Sequence, residues 1–280
     1  MVTRKDYSPD KLRACESVLV ELVHMLGEYR DHIAVVGGYV PFLLLSDAKE
    51  RHAGTIDIDL ALDFNKISPD TYSTMLRILE SRGYRQDKNQ PFRFYRDVPV
   101  PGRDPIVIPV DFMAGEYGGA GKSHRTQKVQ DVRARKARGC DLVFDSPERR
   151  RITGELPGQG GKDTVDVNIS GIVPFLVMKG MALDDRVKEK DAYDIVYTVR
   201  FFPGGSKGLA DRCRPLMNNK LVQEGFGKMR KHFISIDSTG PSGNANFQEI
   251  QDPDARAIEQ RRAFELVNQL LDMLDVKPYG

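Results

Sequence analysis

Residues 56–62 read Ile56-Asp-Ile-Asp-Leu-Ala-Leu62, a strict alternation with a period of two. Successive side chains of a strand point to opposite faces, so Asp57, Asp59 and Ala61 share one face and Ile56, Ile58, Leu60 and Leu62 the other. Such a segment belongs in a sheet packed on its apolar side, with both carboxylates on the accessible side. Upstream, residues 32–36 (His-Ile-Ala-Val-Val) form a short run rich in β-branched residues that stops at Gly37-Gly38. That pattern predicts a buried strand, a tight turn and a short helix over 39–45. Residues 106–112 alternate again around Asp111, and 92–97 form a further strand candidate.

Helices are marked by their starts. Ser8 precedes Pro9, and apolar residues recur at Leu12, Cys15, Val18, Leu19, Leu22, Val23 and Leu26, which predicts a helix over 9–26. Ser68-Pro69 opens another, running to residue 82 before Gly83. Residues 114–139, rich in glycine and basic residues, read as a long loop, and the glycine-rich stretch 154–162 as a boundary. Beyond it, helical patterns cover 170–183, 188–201, 207–216, 220–233 and 253–274, with the polar run 237–252 as a linker. The expected fold class is α+β. Residues 1–160 form a mixed sheet with flanking helices, and residues 161–280 a mostly helical C-terminal domain.

The chain has 280 residues, 40% hydrophobic and 29% charged, which excludes collagen-like and wholly disordered classes. No apolar run approaches the roughly 18 residues of a spanning helix, and no apolar signal core follows Met1. A cytoplasmic location without membrane contact is the expectation. Cys15, Cys140 and Cys213 are too scattered for a disulfide framework or a zinc site and read as buried thiols. The net charge of +2 hides a basic segment: between residues 121 and 151 there are ten Lys or Arg, including Arg133, Arg135, Lys136 and Arg138, against four acids. It would face a polyanion or serve as a solvated loop. Gly118-Gly-Ala-Gly-Lys122-Ser123 misses the spacing of a nucleotide-binding phosphate loop. The five histidines show no ligand spacing, and His52 reads as an exposed loop residue.

The chemistry concentrates in Gly37-Gly38, then Asp57 and Asp59, then Asp111. Glycines at a strand-to-helix turn let backbone approach a phosphate closely. Two aspartates two residues apart on a strand suit a divalent cation, and a third from another strand completes its ligands. Hard oxygen donors favour Mg²⁺, which shares its coordination with substrate phosphates. A glycine turn or an acidic strand face is commonplace alone; their order along the chain is the signal.

That order resembles the DNA polymerase β-type nucleotidyltransferase superfamily, and within it the AbiEii-type nucleotidyltransferases, the toxins of type IV toxin–antitoxin systems. Val173-Pro-Phe-Leu-Val-Met-Lys179, Ala182-Leu183 and Arg186-Val-Lys-Glu-Lys190-Asp191-Ala-Tyr-Asp194-Ile195 are similar to the family's helix with a basic residue and the segment after it. The resemblance spans residues 30–200 or so. It implies a Mg²⁺-dependent enzyme that moves a nucleoside monophosphate from an NTP to an acceptor hydroxyl and releases pyrophosphate. An RNA such as tRNA is the acceptor it suggests, and a cognate antitoxin the partner. Gly37 and Gly38 would contact the triphosphate, Asp57 and Asp59 would bind Mg²⁺, and Asp111 would bind metal or take the proton of the attacking hydroxyl. Lys179 would steady the triphosphate. Asp191 and Asp194 would bind nucleotide or orient Lys179, with salt bridges to Arg186 or Lys190 as their other open role. A small-molecule, antibiotic-type nucleotidyltransferase is one alternative. A non-catalytic nucleotide or nucleic-acid binding protein that keeps the fold is the other.

Overall fold

The computed structural model describes residues 3–63, 66–115, 126–129, 132–158 and 160–279. The chain divides into two compact units. One comprises Tyr7–Val40 and Gly54–Gly171; the other comprises Met1–Asp6, Pro41–Ala53 and Ile172–Gly280.

The first unit is a mixed sheet with helices. Its strands are β1 (Ile33–Val36), β2 (Ile58–Leu62), β3 (Arg85–Gln86), β4 (Arg93–Val100), β5 (Arg103–Ala114), β6 (Thr126–Val129), β7 (Val132–Lys136), β8 (Glu148–Glu155) and β9 (Lys162–Ile169). They run in the order β3-β4-β5-β2-β1-β9-β8, with β7 pairing the end of β5 and β6 pairing β7. β1 and β2 are antiparallel, whereas β2 is parallel to β5 and β1 is parallel to β9. The apolar side of β2 is fully buried at Ile58, Leu60 and Leu62. Helix α1 (Pro9–Met25) packs its Val18, Leu19 and Leu22 into this core, and Ser8 caps it by accepting from the Lys11 amide. Helix α3 (Pro69–Ser81) is capped by Ser68 in the same way and sets Tyr72 edge-on against Phe112. The six-residue helix α2 (Tyr39–Leu44) begins directly after the Gly37-Gly38 turn, as the sequence predicts.

Two readings need correction here. Residues 114–139 are not one long loop: β6 and β7 pair as a hairpin, and Met113 and Ala114 of β5 pair with Arg135 and Lys136. Their alternation is weak because polar and basic residues fill both strands. The glycine-rich stretch 154–162 lies at the turn between β8 and β9, which are antiparallel partners. Glycine there serves a hairpin connection, with Gly158 at φ +71°. The Gly118–Ser123 motif lies outside the described residues.

The second unit is helical: α4 (Ile172–Arg186), α5 (Glu189–Phe201), α6 (Gly205–Cys213), α7 (Lys220–His232), α8 (Thr239–Phe247) and α9 (Pro253–Met273). α4 and α7 approach at glycines. A Cβ on Gly180 would lie 2.1 Å from the Gly225 carbonyl oxygen, and one on Gly225 would lie 2.8 Å from Val177. The polar run 237–252, expected as a linker, contains α8. Its small residues make poor helix formers, yet Gly240, Gly243, Ala245 and Phe247 are buried, so tertiary packing overrides propensity. All three cysteines are free and buried. Among the described residues no helix is long and apolar enough to cross a membrane.

The glycine crossing has a measurable consequence. Gly180→Ala should lower stability by about 1–3 kcal/mol, the usual cost of overpacking a fitted contact. Gly27→Ala, where no atom lies within 4 Å of the added Cβ, should be nearly neutral. Urea denaturation midpoints of the two variants test the contrast.

Candidate functional site

The sheet unit brings the five predicted residues Gly37, Gly38, Asp57, Asp59 and Asp111 to one place. Pairing of β1 with β2 ends at Val36 opposite Asp59, so the chain leaves β1 beside that carboxyl group. Gly37 then adopts φ +67°, and a Cβ there would stand 2.2 Å from Asp59 Oδ2. Any side chain at position 37 would therefore be strained in backbone and would displace the carboxylate. Gly38 lies close against Thr55, whose side chain a Cβ would meet at 2.9 Å. The Thr55 hydroxyl donates to Asp57 Oδ1 at 2.6 Å and so fixes this second carboxylate. Cys15 Sγ donates to the Asp57 carbonyl oxygen at 3.6 Å. Its thiol is pushed far above the ordinary range by burial, with Asp57 and Asp59 adding to the effect, so it is no nucleophile.

Asp59 pairs in register with Asp111 on the parallel neighbour β5. Directly opposed residues share a face, so both carboxylates stand side by side. Asp111 is in turn opposite Arg93 of β4. Arg93 Nε–H and Nη2–H donate to Asp111 Oδ1 and Oδ2, each at 2.7 Å, and Asp111 is only 3% exposed. The bidentate bond to Asp111 holds the Arg93 guanidinium well above its ordinary pKa despite partial burial. Val36, Asp59, Asp111 and Arg93 thus form one row across four strands. Arg93 is the member that sequence reading missed: it sits in the alternating run 92–96, which reads as a strand core.

The donor chemistry of Asp57 and Asp59 fits a hard divalent cation, with the bare Gly37 Cα leaving the Asp59 carboxylate room. Asp111, expected as the third ligand, has both oxygens engaged by Arg93. Among the described residues no three His, Cys, Asp or Glu side chains converge as metal ligands.

The remaining predicted residues, Lys179, Asp191 and Asp194, meet within the helical unit. Lys179 Nζ of α4 lies 2.7 Å from Asp191 Oδ1 and 2.7 Å from Asp194 Oδ2 on α5. Arg186 adds two hydrogen bonds to Asp191, and Lys190 donates to Asp194. Of the roles the sequence left open for the two aspartates, orienting Lys179 and salt bridging with Arg186 and Lys190 are both visible. Burial opposes the charge on Lys179, but Asp191 and Asp194 together hold its pKa above the usual lysine range. Burial likewise opposes the charge on Asp194, yet Lys179 and Lys190 keep it well below the carboxylate range.

His52 is a correction. It is not an exposed loop residue: it is 4% exposed, with Nε2 2.8 Å from Asp194 Oδ1 and its ring edge-on to Tyr197. Tyr193 Oη accepts from the Ala53 amide at 3.1 Å and Tyr197 Oη donates to the Glu50 carbonyl oxygen at 2.6 Å, which fastens the 50–53 segment.

The basic segment is only partly described. Within it, Arg149 pairs with Asp31, Arg150 with Glu148 and Arg151 with Asp166, so β8 presents its arginines already matched by acids. Lys122 and Arg125 lie outside the described residues, as do the side chains of Lys128 and Arg133.

No protein-family model and no curated protein matches the sequence. Among solved structures, the chain is similar to an antigenic nucleotidyltransferase-like protein from Paracoccidioides brasiliensis, with 16% identity, 98% of this chain and 96% of that chain covered, and a TM-score of 0.43. It is also similar to JHP933 from Helicobacter pylori, with 14% identity, 95% of each chain covered, and a TM-score of 0.41. Likeness at this level assigns no activity.

The buried cluster predicts a pH dependence. Burial first, and then the charge of Lys190, lowers the His52 pKa from 6.5 to about 4. The folded protein therefore binds this proton less readily than the unfolded chain, and stability is lost as pH falls from 6.5 toward 4. The contribution is about 3 kcal/mol in full. His52→Phe should remove that part of the acid dependence, as followed by denaturation midpoints across the window.

Proposed function

We propose that the protein is a nucleotidyltransferase whose centre is the glycine turn and the aspartates of the sheet unit. The observation that carries this reading is the contact of bare Gly37 with the Asp59 carboxylate, beside Asp111 in register. It leaves a backbone able to come close to phosphate and hard oxygen donors at the same point. Gly37 and Gly38 would accommodate the triphosphate. Asp57 and Asp59 would hold Mg²⁺, which supplies charge neutralisation for the phosphates when bound. Positioning then does most of the work in phosphoryl transfer. Asp111, fixed by Arg93, orders the face on which Asp59 stands, and would become a cation ligand or proton acceptor only on leaving Arg93. Lys179, Asp191 and Asp194 support the helical unit in this reading, because each charge already has its partners there.

The acceptor proposed is an RNA hydroxyl, such as a tRNA 3′ end, in an AbiEii-like role with a cognate antitoxin. It rests on the sequence resemblance rather than on a basic face, since the β8 arginines are matched. A second reading has its own support: with both Asp111 oxygens held by Arg93, the chain would bind nucleotide without turnover. Incubation with each α-labelled NTP, Mg²⁺ and total RNA separates the two. Labelled RNA supports transfer, while NTP binding without labelled product or pyrophosphate supports the binding protein. Asp59→Asn, and likewise Asp57→Asn, should lower transfer at least about a hundredfold. Folding should be little affected, because removing one of several neighbouring negative charges relieves repulsion. Unchanged turnover in a folded Asp59→Asn protein would defeat the assignment.

A further inference from the structure

Outside the sheet unit, three helices converge on a second set of chemically coupled side chains. His232, the last residue of α7, is buried, and its Nδ1 lies 2.6 Å from the hydroxyl oxygen of Thr239, the first residue of α8. Its Nε2 lies 3.1 Å from Asp184 Oδ1 on α4. Thr239 itself is exposed. Burial opposes the charge on Asp184, but Lys231, His232 and Lys228 hold its pKa below the usual carboxylate range, so it only accepts hydrogen bonds at neutral pH. A neutral His232 must then carry its proton on Nε2 and present the Nδ1 lone pair to the Thr239 hydroxyl. The tautomer follows from the partners.

The link between α7 and α8 makes this arrangement rigid. Ser238 Oγ donates to the carbonyl oxygens of His232, at 2.9 Å, and Ser235, at 2.6 Å. Asn268 Nδ2 donates to the Phe233 carbonyl at 2.8 Å. A Cβ on Gly240 would lie 2.5 Å from the Phe233 ring and 2.6 Å from the His232 carbonyl oxygen, so only glycine lets α8 start this close to the end of α7. The neighbouring Ser238 hydroxyl spends its proton on backbone carbonyls, whereas the Thr239 hydroxyl faces a base. Two adjacent hydroxyls thus differ in environment.

We propose that Thr239, His232 and Asp184 form a nucleophile, base and orienting acid that accept an acyl group from small activated carboxylic esters. The nucleophile and base are within hydrogen-bond reach, and a third group fixes the base. In the reaction, the Thr239 oxygen bonds to the ester carbonyl carbon as its proton passes to His232 Nδ1. The bond from that carbon to the leaving oxygen breaks, and the imidazolium returns the proton to the departing alcohol. Water, activated by the same nitrogen, then cleaves the acyl-threonine to the acid and the free hydroxyl. The oxyanion would draw on the first-turn amides of α8, which have no acceptor four residues back within the helix. Neither nucleotide nor cation enters this chemistry.

The test uses the whole chain with p-nitrophenyl acetate in EDTA, reading p-nitrophenol release and mapping the adduct by peptide mass spectrometry. An acetyl group on Thr239 that hydroxylamine removes is the expected product, since an ester is labile where the amides of Lys228 and Lys231 are not. Thr239→Val should abolish it, and Thr239→Ser should keep it. His232→Gln should slow acylation about a hundredfold, within the range of general-base catalysis. Circular dichroism checks that each variant keeps its helices. Acetylation confined to lysines, an adduct on Ser238 instead, or equal rates in wild type and His232→Gln would overturn the proposal. Since the wild-type map needs no variant, misfolding of a mutant cannot mask a negative result. A negative result here also leaves the nucleotide assay, which depends on Asp59, unaffected.

Discussion

Neighbouring carboxylates repel, and parallel pairing of β2 with β5 sets Asp59 beside Asp111 with no freedom to separate. The sheet tolerates this because β4 delivers Arg93 to the next position in the same row, where it holds Asp111 through two bonds of 2.7 Å. A buried carboxylate without such a partner would cost several kcal/mol. The ion pair settles the charge of Asp111 beside the edge of the glycine turn, where Asp59 stands. Registry of β4, β5 and β2 is therefore not only a matter of apolar packing: a shift by one residue would bury Arg93 and Asp111 on the opposite face.

The helical unit solves a related problem by different means. Asp191 and Asp194 are deeply buried; Asp191 pairs with Lys179 and Arg186 of α4, and Asp194 with Lys179 of α4 and Lys190 of its own helix. Two carboxylates face Lys179, Lys190 and Arg186, so the cluster retains a positive excess with His52 neutral. Burial above all, with the charge of Lys190 adding to it, drives His52 toward its neutral form, and Lys190 has its own pKa lowered, chiefly by burial. Such a cluster adds specificity in packing more than net stability, because burying the ions offsets much of their attraction.

Local signals were legible where they rest on short periods or end residues. The alternation at 56–62 reveals β2 and its carboxylate face, Ser8 and Ser68 mark helix starts that the structure caps, and Gly37-Gly38 marks a turn that only glycine can make. What sequence could not show is which residues the strands bring opposite one another. Arg93 lies 18 positions from Asp111, and nothing in its own neighbourhood distinguishes it from Arg96, which bonds Glu21 of α1 instead. α8 was illegible for the converse reason. Its glycines and asparagines argue locally for a linker, and only contacts with residues far along the chain, such as Asn244 with Glu259, make the helix worthwhile.

The two acidic pairs show why spacing alone does not assign a role. Asp59 lies on β2 with Asp57 in the bend just before it, whereas Asp191 and Asp194 lie three apart on one face of α5. In sequence both resemble ligands. Their partners differ: the neutral Thr55 hydroxyl donates to Asp57, while Lys179, Lys190 and Arg186 surround the helical pair. A carboxylate compensated by fixed lysine and arginine has little to gain from a metal ion, because its charge is already matched at hydrogen-bond distance. A carboxylate held only by a hydroxyl has no fixed cation to match it and gains more from an added one. Compensation by neighbouring cations, rather than spacing, is thus what separates the helical pair from the sheet pair.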